Sequence, residues 1–347
     1  MPALRLSVLD QSPISEGFTG ADALHNTVDL ARRVDALGYH RYWVAEHHGT
    51  PMLACASPEV LIGPIAAATE RIRVGSGGVM LPHYSPLKVA ESFSILSGLY
   101  PGRIDLGLGR APGTDQLTML ALQRDRRQPA PNDFPEQLVE LLSYLEDRMP
   151  PDHPFARLAQ LPGRPGRPEP WLLGSSPQSG IWAAELGLPY CFADFINSQG
   201  AAIVDEYRRR FVDSERLPAP MASVGTLAIC AETDDEAQLL ASSGRMAFSL
   251  MRQGRLIEVP PVEKALCYLE TRPPRPSSPG EARRRAAVGS PQTVRAKLEE
   301  LAAEYGAEEL VILTITHDHE ARKRSYELIA EEFGLSTVAA PSSAVAT

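Results

Sequence analysis

The sequence predicts a (β/α)8 barrel, and three observations carry that prediction. Eight apolar, strand-like runs are each followed by a stretch with helical periodicity. The strand runs are apolar throughout rather than alternating, as parallel strands covered on both faces are. A doubly wound sheet would place a glycine-rich fingerprint directly after the first strand, and "LDQSPISEGF" has no GxGxxG spacing.

The elements follow in order. "LRLSVLD" (4–10) is a strand ending in polar "QSP". Residues 20–37 put Leu24, Val28, Ala31, Val34 and Leu37 on one helical face, and Gly38 stops the helix. "YWVAE" is the second strand. The helix at 57–70 opens on Ser57 with Pro58 at its first turn, and the helix at 85–100 repeats that start after the strand "RIRVGSGGVML" (71–81). "GRIDLGLG" (102–109) is the fourth strand. The rhythm weakens over 111–168, an insertion whose one expected helix is 133–147. It resumes with a strand at 170–174, a helix at 176–187, a strand at 190–195, a helix at 200–216, a strand at 222–232 and a helix at 234–251. Residues 252–286, dense in Pro and Arg, read as a long loop after the seventh strand, with the length of a lid. A helix at 290–305, a strand at 309–315 and a helix at 318–333 close the pattern. Residues 1–335 thus form one expected barrel domain, and 336–347 an expected disordered tail.

Bulk properties narrow the function. The chain has 347 residues and a net charge of −9, which speaks against nucleic acid or an anionic membrane as a partner. The start lacks the basic and apolar regions of a signal peptide, and no apolar run is long enough to span a bilayer. Four scattered cysteines, Cys55, Cys191, Cys230 and Cys267, have no CxxC spacing; the first three sit in apolar runs and read as buried free thiols. A cytoplasmic protein is expected.

In such barrels function gathers where strands end at their C-terminal side. Those ends carry Asp10-Gln11-Ser12, Glu46-His47-His48, Gly75-Ser76-Gly77-Gly78, Gly107 and Gly109-Arg110, Gly174-Ser175-Ser176, and Asp194-Phe195. Gly107 and Gly109 allow a flat ligand near the backbone, with Arg110 suited to phosphate; equally, they suit tight strand packing with Arg110 as a surface ion-pair partner. Ser175, Ser176 and Ser179 at a helix start fit an anion, or an ordinary N-cap. The glycines at 75, 77 and 78 admit a close ligand or neighbouring chain and a cis peptide, or mark a bulge. Glu46-His47-His48 has three readings: metal ligands, a buried Glu–His pair, or a histidine facing the pocket as acid or base. The later "THDHE" (316–320) looks metal-like but reads better as a solvated helix start.

"YWVAEHH", "RIRVGSGGVMLPHYSPLKVAESFSILSGLYPGRIDLGLGRAPG" and "WLLGSSPQSGIWAAELGLP" resemble the bacterial luciferase-like flavin monooxygenases in content, order and spacing, over about residues 3–335. Within that family the chain looks most like the alkanal-monooxygenase-like oxidoreductases of bacterial secondary metabolism. The resemblance implies a (β/α)8 barrel that takes reduced FMN from a separate flavin reductase. The reduced flavin reacts with O2 to a C4a-peroxide, which oxidises a small organic substrate. It implies that His47 is catalytic, with Glu46 beside it, and that Gly77–Gly78 form a non-proline cis peptide beneath the flavin ring. It also implies that Arg110 holds the flavin phosphate with Ser176 and Ser179, and that a homodimer forms through the helices after strands two and three. Gly109 stands where luciferase has a cysteine beside the flavin, and a second phosphate arginine has no clear counterpart. The deazaflavin F420 is therefore the alternative cofactor, and a non-catalytic flavin-binding protein the alternative role.

Overall fold

The computed structural model describes residues 4–110, 115–123, 126–128, 132–158, 165–271 and 286–335. The expected tail at 336–347 lies outside them. Nine strands form among the described residues: β1 (Arg5–Asp10), β2 (Arg41–Val44), β3 (Arg73–Met80), β4 (Ile104–Gly109), β5 (Glu169–Gly174), β6 (Tyr190–Ala193), β7 (Ala222–Cys230), β8 (Ala286–Gly289) and β9 (Glu309–Leu313). β1 to β7 pair in sequence, β7 pairs with β9, and β9 returns to β1, all in parallel. Eight strands therefore close a barrel, as the alternating pattern predicts. β8 stands outside it, pairing with Leu227–Cys230 of β7, beyond the stretch that β6 covers.

The helices wrap this barrel: α1 (Gly20–Leu37), α2 (Pro58–Ala67), α3 (Pro86–Leu99), α4 (Gln116–Leu122), α5 (Phe134–Glu146), α6 (Pro177–Glu185), α7 (Ala201–Arg210), α8 (Asp234–Met251), α9 (Val262–Glu270), α10 (Pro291–Tyr305) and α11 (His319–Phe333). Local chemistry sets their ends. Thr19 and Asp22 form a capping box that starts α1, and Gly38 ends it in the left-handed region at φ 87°. Pro at the first turn starts α2, α3, α6 and α10, where its missing N–H costs nothing. No described helix is long and apolar enough to cross a membrane.

Two of the loop expectations are corrected. Of the long loop expected at 252–286, residues 272–285 lie outside the described residues, and 252–271 are not a bare loop: they contain α9, and Val259 exchanges backbone bonds with Ile14 and Glu16 beside β1. The prolines at 260 and 261 masked the helix in the sequence, yet Pro261 is its N-cap. The insertion at 111–168 likewise contains α4, besides the helix expected at 133–147.

Side chains alternate between two cores. Leu6, Val8, Tyr42, Val44 and Ile312 face the layer between strands and helices. Leu9, Trp43, Ala45, Trp171, Val311 and Leu313 fill the barrel interior. The glycines answer to this interior. A Cβ on Gly107 would collide with the Ser76 carbonyl, and one on Gly78 would lie 2.7 Å from the Gly107 carbonyl. Tight packing and a register shift between Ser76 and Val79 thus account for the glycines of β3 and β4. The Gly77–Gly78 peptide is cis.

Candidate functional site

The alternation along β2 decides what Glu46-His47-His48 does. Trp43 and Ala45 point into the barrel, and Tyr42 and Val44 point out. His47 continues the inward set and Glu46 the outward one. The three residues therefore do not converge as ligands on one point.

His47 opens into a cavity of about 390 Å³ at the C-terminal ends of the strands. Gln11, His47, His48 and Leu313 reach it from β1, β2 and β9, and Phe195 and Ile196 from the end of β6. Phe248 and Met251 from the last turn of α8, with Leu256 just beyond, form another wall. Thr50, Met52, Leu53 and Asp115 complete the lining. The His47 backbone N–H donates to the Cys55 carbonyl at 2.9 Å, which fixes its place. Its Nδ1 atom is buried and has no hydrogen-bond partner among the described residues. Burial, and less strongly the nearby His48, push the imidazole pKa down to about 4. At neutral pH His47 is therefore uncharged, and its buried Nδ1 stays without a hydrogen bond among the described residues.

Glu46, expected beside His47 as a catalytic group, stands outside this lining. Its carboxylate is fully buried. Oε1 accepts from His48 Nε2 at 2.7 Å and from the Tyr84 hydroxyl at 3.0 Å, and Oε2 accepts from the Met80 backbone at 2.9 Å. Burial holds the Tyr84 pKa far above its usual value, so Tyr84 remains a donor. Glu46 thus ties β2 to the end of β3 and orients His48, whose ring also meets His83 edge-on at 5.8 Å. Tyr84 and Met80 were not singled out from the sequence. The signal available for Tyr84 was its place in "LPHYSP", just past the strand end.

The other expected residues form a second group. The Arg110 guanidinium is exposed and lies 5.5 Å from the Trp182 ring of α6. Ser176 caps the same helix, accepting from the Ser179 backbone at 3.4 Å. The Ser179 hydroxyl is already used: it donates to the Ser176 carbonyl at 2.7 Å and lies 3.0 Å from the Tyr190 hydroxyl. The Ser175 carbonyl accepts from Asn197 at 3.0 Å. Arg110 therefore meets α6 through Trp182, and none of Arg110, Ser175, Ser176, Ser179, Gly77, Gly78 or Gly109 lines the His47 cavity.

Several polar strand ends turn out to be structural. Asp10 is buried and accepts from Arg322 and from the Ser12 backbone, both at 2.7 Å, and from Tyr42. Asp194 accepts from the Tyr305 hydroxyl at 2.8 Å. In the "THDHE" stretch Asp318 caps α11, His317 meets the Glu16 carbonyl and His319 meets Asp29, so the three groups go to separate partners. Cys55, Cys191 and Cys230 are buried free thiols, and Cys267 is exposed.

The chain matches the luciferase-like monooxygenase family over residues 4–309. It is 40% identical to a "Luciferase-like monooxygenase" of Escherichia coli K12 over 326 residues, 94% of this chain and 96% of that one. It is also 40% identical to the "N-acetyl-S-alkylcysteine monooxygenase" of Bacillus subtilis over 330 residues, 94% of this chain and 98% of that one. Among solved structures, apo-MsnO8 superposes with a TM-score of 0.85 at 42% identity, covering 96% of this chain and 98% of that one. Two distant structures share the fold. One is the oxygenating constituent of 3,6-diketocamphane monooxygenase from Pseudomonas putida in complex with FMN (TM-score 0.70, 19% identity, 95% and 98% covered). The other is an F420-dependent secondary alcohol dehydrogenase (TM-score 0.60, 13% identity, 94% and 99% covered).

Proposed function

The chain belongs to the luciferase-like monooxygenase family, and on that premise we propose that it oxidises a small organic substrate with O2 and reduced FMN supplied by a separate flavin reductase. The observation that carries this reading is the buried, unpartnered His47 Nδ1 in an apolar cavity at the C-terminal ends of the strands. Such an orphaned polar atom suits a polar edge brought by a ligand.

Reduced flavin supplies the electrons that activate O2. Of this chain's residues, Arg110 would hold the phosphate through its guanidinium, with the Ser175 and Ser176 hydroxyls at the start of α6. Ser179 supports them by fixing the helix start, since its own hydroxyl is engaged. Gly77, Gly78 and Gly109 would border the flavin ring. His47, uncharged near neutral pH, would accept a proton at a ring nitrogen and give it back as the substrate is oxidised. Glu46 acts through His48, which it holds by Nε2. The Phe, Leu and Met lining keeps water away from the reacting groups.

Two chains pair in this reading through α2 and α3, where Val60, Ile95 and Leu99 stand exposed. The compartment is the cytoplasm.

The test is a titration of the protein with reduced FMN, reduced FAD and reduced F420, followed by turnover under labelled O2. Tightest binding of FMN and label in an organic product support the reading. Preference for F420 points to the alternative cofactor, and flavin binding without any product points to a carrier. His47→Ala is expected to bind flavin normally but release H2O2 in place of product.

A further inference from the structure

The charges around the His47 cavity select among substrates. Among its described lining residues there is no lysine or arginine. His48 is tied to the buried Glu46 carboxylate at 2.7 Å, and His47 carries no charge near neutral pH. The one other ionised group is Asp115, on the rim at the start of α4. Its Oδ1 accepts from the Leu117 and Thr118 backbone at 2.8 and 3.0 Å, and its Oδ2 from the Thr118 hydroxyl at 2.9 Å. Those bonds hold its carboxyl below the usual carboxylate range, so it stays anionic. They also occupy the amide donors that a bound anion would need.

What remains is apolar surface from Met52, Phe195, Ile196, Phe248, Met251 and Leu256, with Gln11, Thr50 and the free His47 nitrogen as neutral polar points. A carboxylate entering here loses its water, meets no lysine or arginine among the described residues and faces Asp115, and an unpaired desolvated charge is costly. An apolar chain with one neutral polar group, such as a thioether, ketone or aldehyde, loses little and fills the space.

We propose that the cavity takes an uncharged, predominantly apolar organic molecule, that it rejects carboxylates, and that Asp115 is the specificity-determining residue for charge. This rests on the reading above in treating the cavity's ligand as the molecule that is oxidised.

The experiment measures displacement of the neutral fluorophore N-phenyl-1-naphthylamine from the full-length protein without flavin. The competitors are methyl octyl sulfide and its analogue ending in a carboxylate. The sulfide is expected to bind about tenfold or more tightly than the acid, a gap on the scale of one uncompensated charge. Asp115→Asn should narrow the gap and Asp115→Lys should narrow it further, with circular dichroism checking the fold of both. Equal or tighter binding of the acid to the unmodified protein overturns the proposal, as does failure of both compounds to displace the fluorophore. An unchanged gap in both variants overturns the part given to Asp115. Because no flavin is present, these outcomes are separate from the monooxygenase reading, which falls instead if bound sulfide gains no labelled oxygen in turnover.

Discussion

The two ends of the barrel interior are built from the same eight strands, yet they treat polar groups in opposite ways. At the N-terminal end Arg41 is buried, donating to Asp105 at 2.9 Å and to Glu309 at 3.0 Å, with its guanidinium 4.5 Å from the Trp171 ring. Arg73 binds Asp105 and Glu169, Trp43 Nε1 donates to Asp105 at 2.9 Å, and Ser7 donates to Glu309 at 2.5 Å. Each buried charge there has a partner of opposite sign. At the C-terminal end His47 Nδ1 has none, and the surroundings are apolar. A network of paired charges fixes the strands relative to one another, although the Ser223 hydroxyl in register with Glu309 has no partner among the described residues. An unsaturated site leaves a group whose bond is completed only when something binds. The same fold therefore keeps stability at one end and reactivity at the other.

The contrast can be broken most forcefully at the charge-paired end. Arg41→Met leaves Asp105 and Glu309 buried without their shared cation, and is expected to cost about 3–5 kcal/mol of stability in urea titration. A loss no greater than that of His47→Ala would erase the distinction between the two ends.

Acid sharpens the contrast next. The folded pKa of His47, about 4, lies below its ordinary 6.5, so the folded state binds fewer protons than the unfolded one. Its effect is absent well above pH 6.5 and becomes destabilising as pH falls from 6.5 to about 4. His47→Leu removes the effect, so the variant should lose about 2–3 kcal/mol less than the parent between pH 7 and pH 4. Parallel pH–stability curves would place His47 in contact with water.

Arg110→Ala is expected to weaken reduced FMN by about 1.5–3 kcal/mol and to leave riboflavin unaffected, because the guanidinium is assigned to the phosphate. Equal losses for both ligands would remove that role. The smallest effect belongs to Tyr84→Phe, which deletes one of three bonds to Glu46 and should cost about 0.5–1.5 kcal/mol in thermal unfolding. Product yield per flavin should fall less than in His47→Ala, since His48 keeps its bond to Glu46.

Much of this was legible in the sequence for local reasons. Serine–proline pairs, Gly38 and short apolar runs are short-range signals, and they placed the eight barrel strands and most helices within a few residues. α9 was missed because its flanking prolines read as loop, although one of them caps it. α4 was missed because it spans only seven residues, too short to show a helical period between Pro- and Arg-rich flanks. The rim glycines suggested room for a ligand, whereas the crowding comes from the neighbouring strands.

The sequence by itself determined the barrel and put histidine, glycine, serine and arginine at strand ends, because periodicity and caps act over a few residues. Only the tertiary structure decided which of those groups remained free. Glu46 was taken by Tyr84 and Met80, Ser179 by Tyr190, and Asp10 by Arg322, all partners distant in the chain. His47 kept its buried Nδ1 without a hydrogen bond among the described residues, since the inward register of β2 aims it at apolar neighbours.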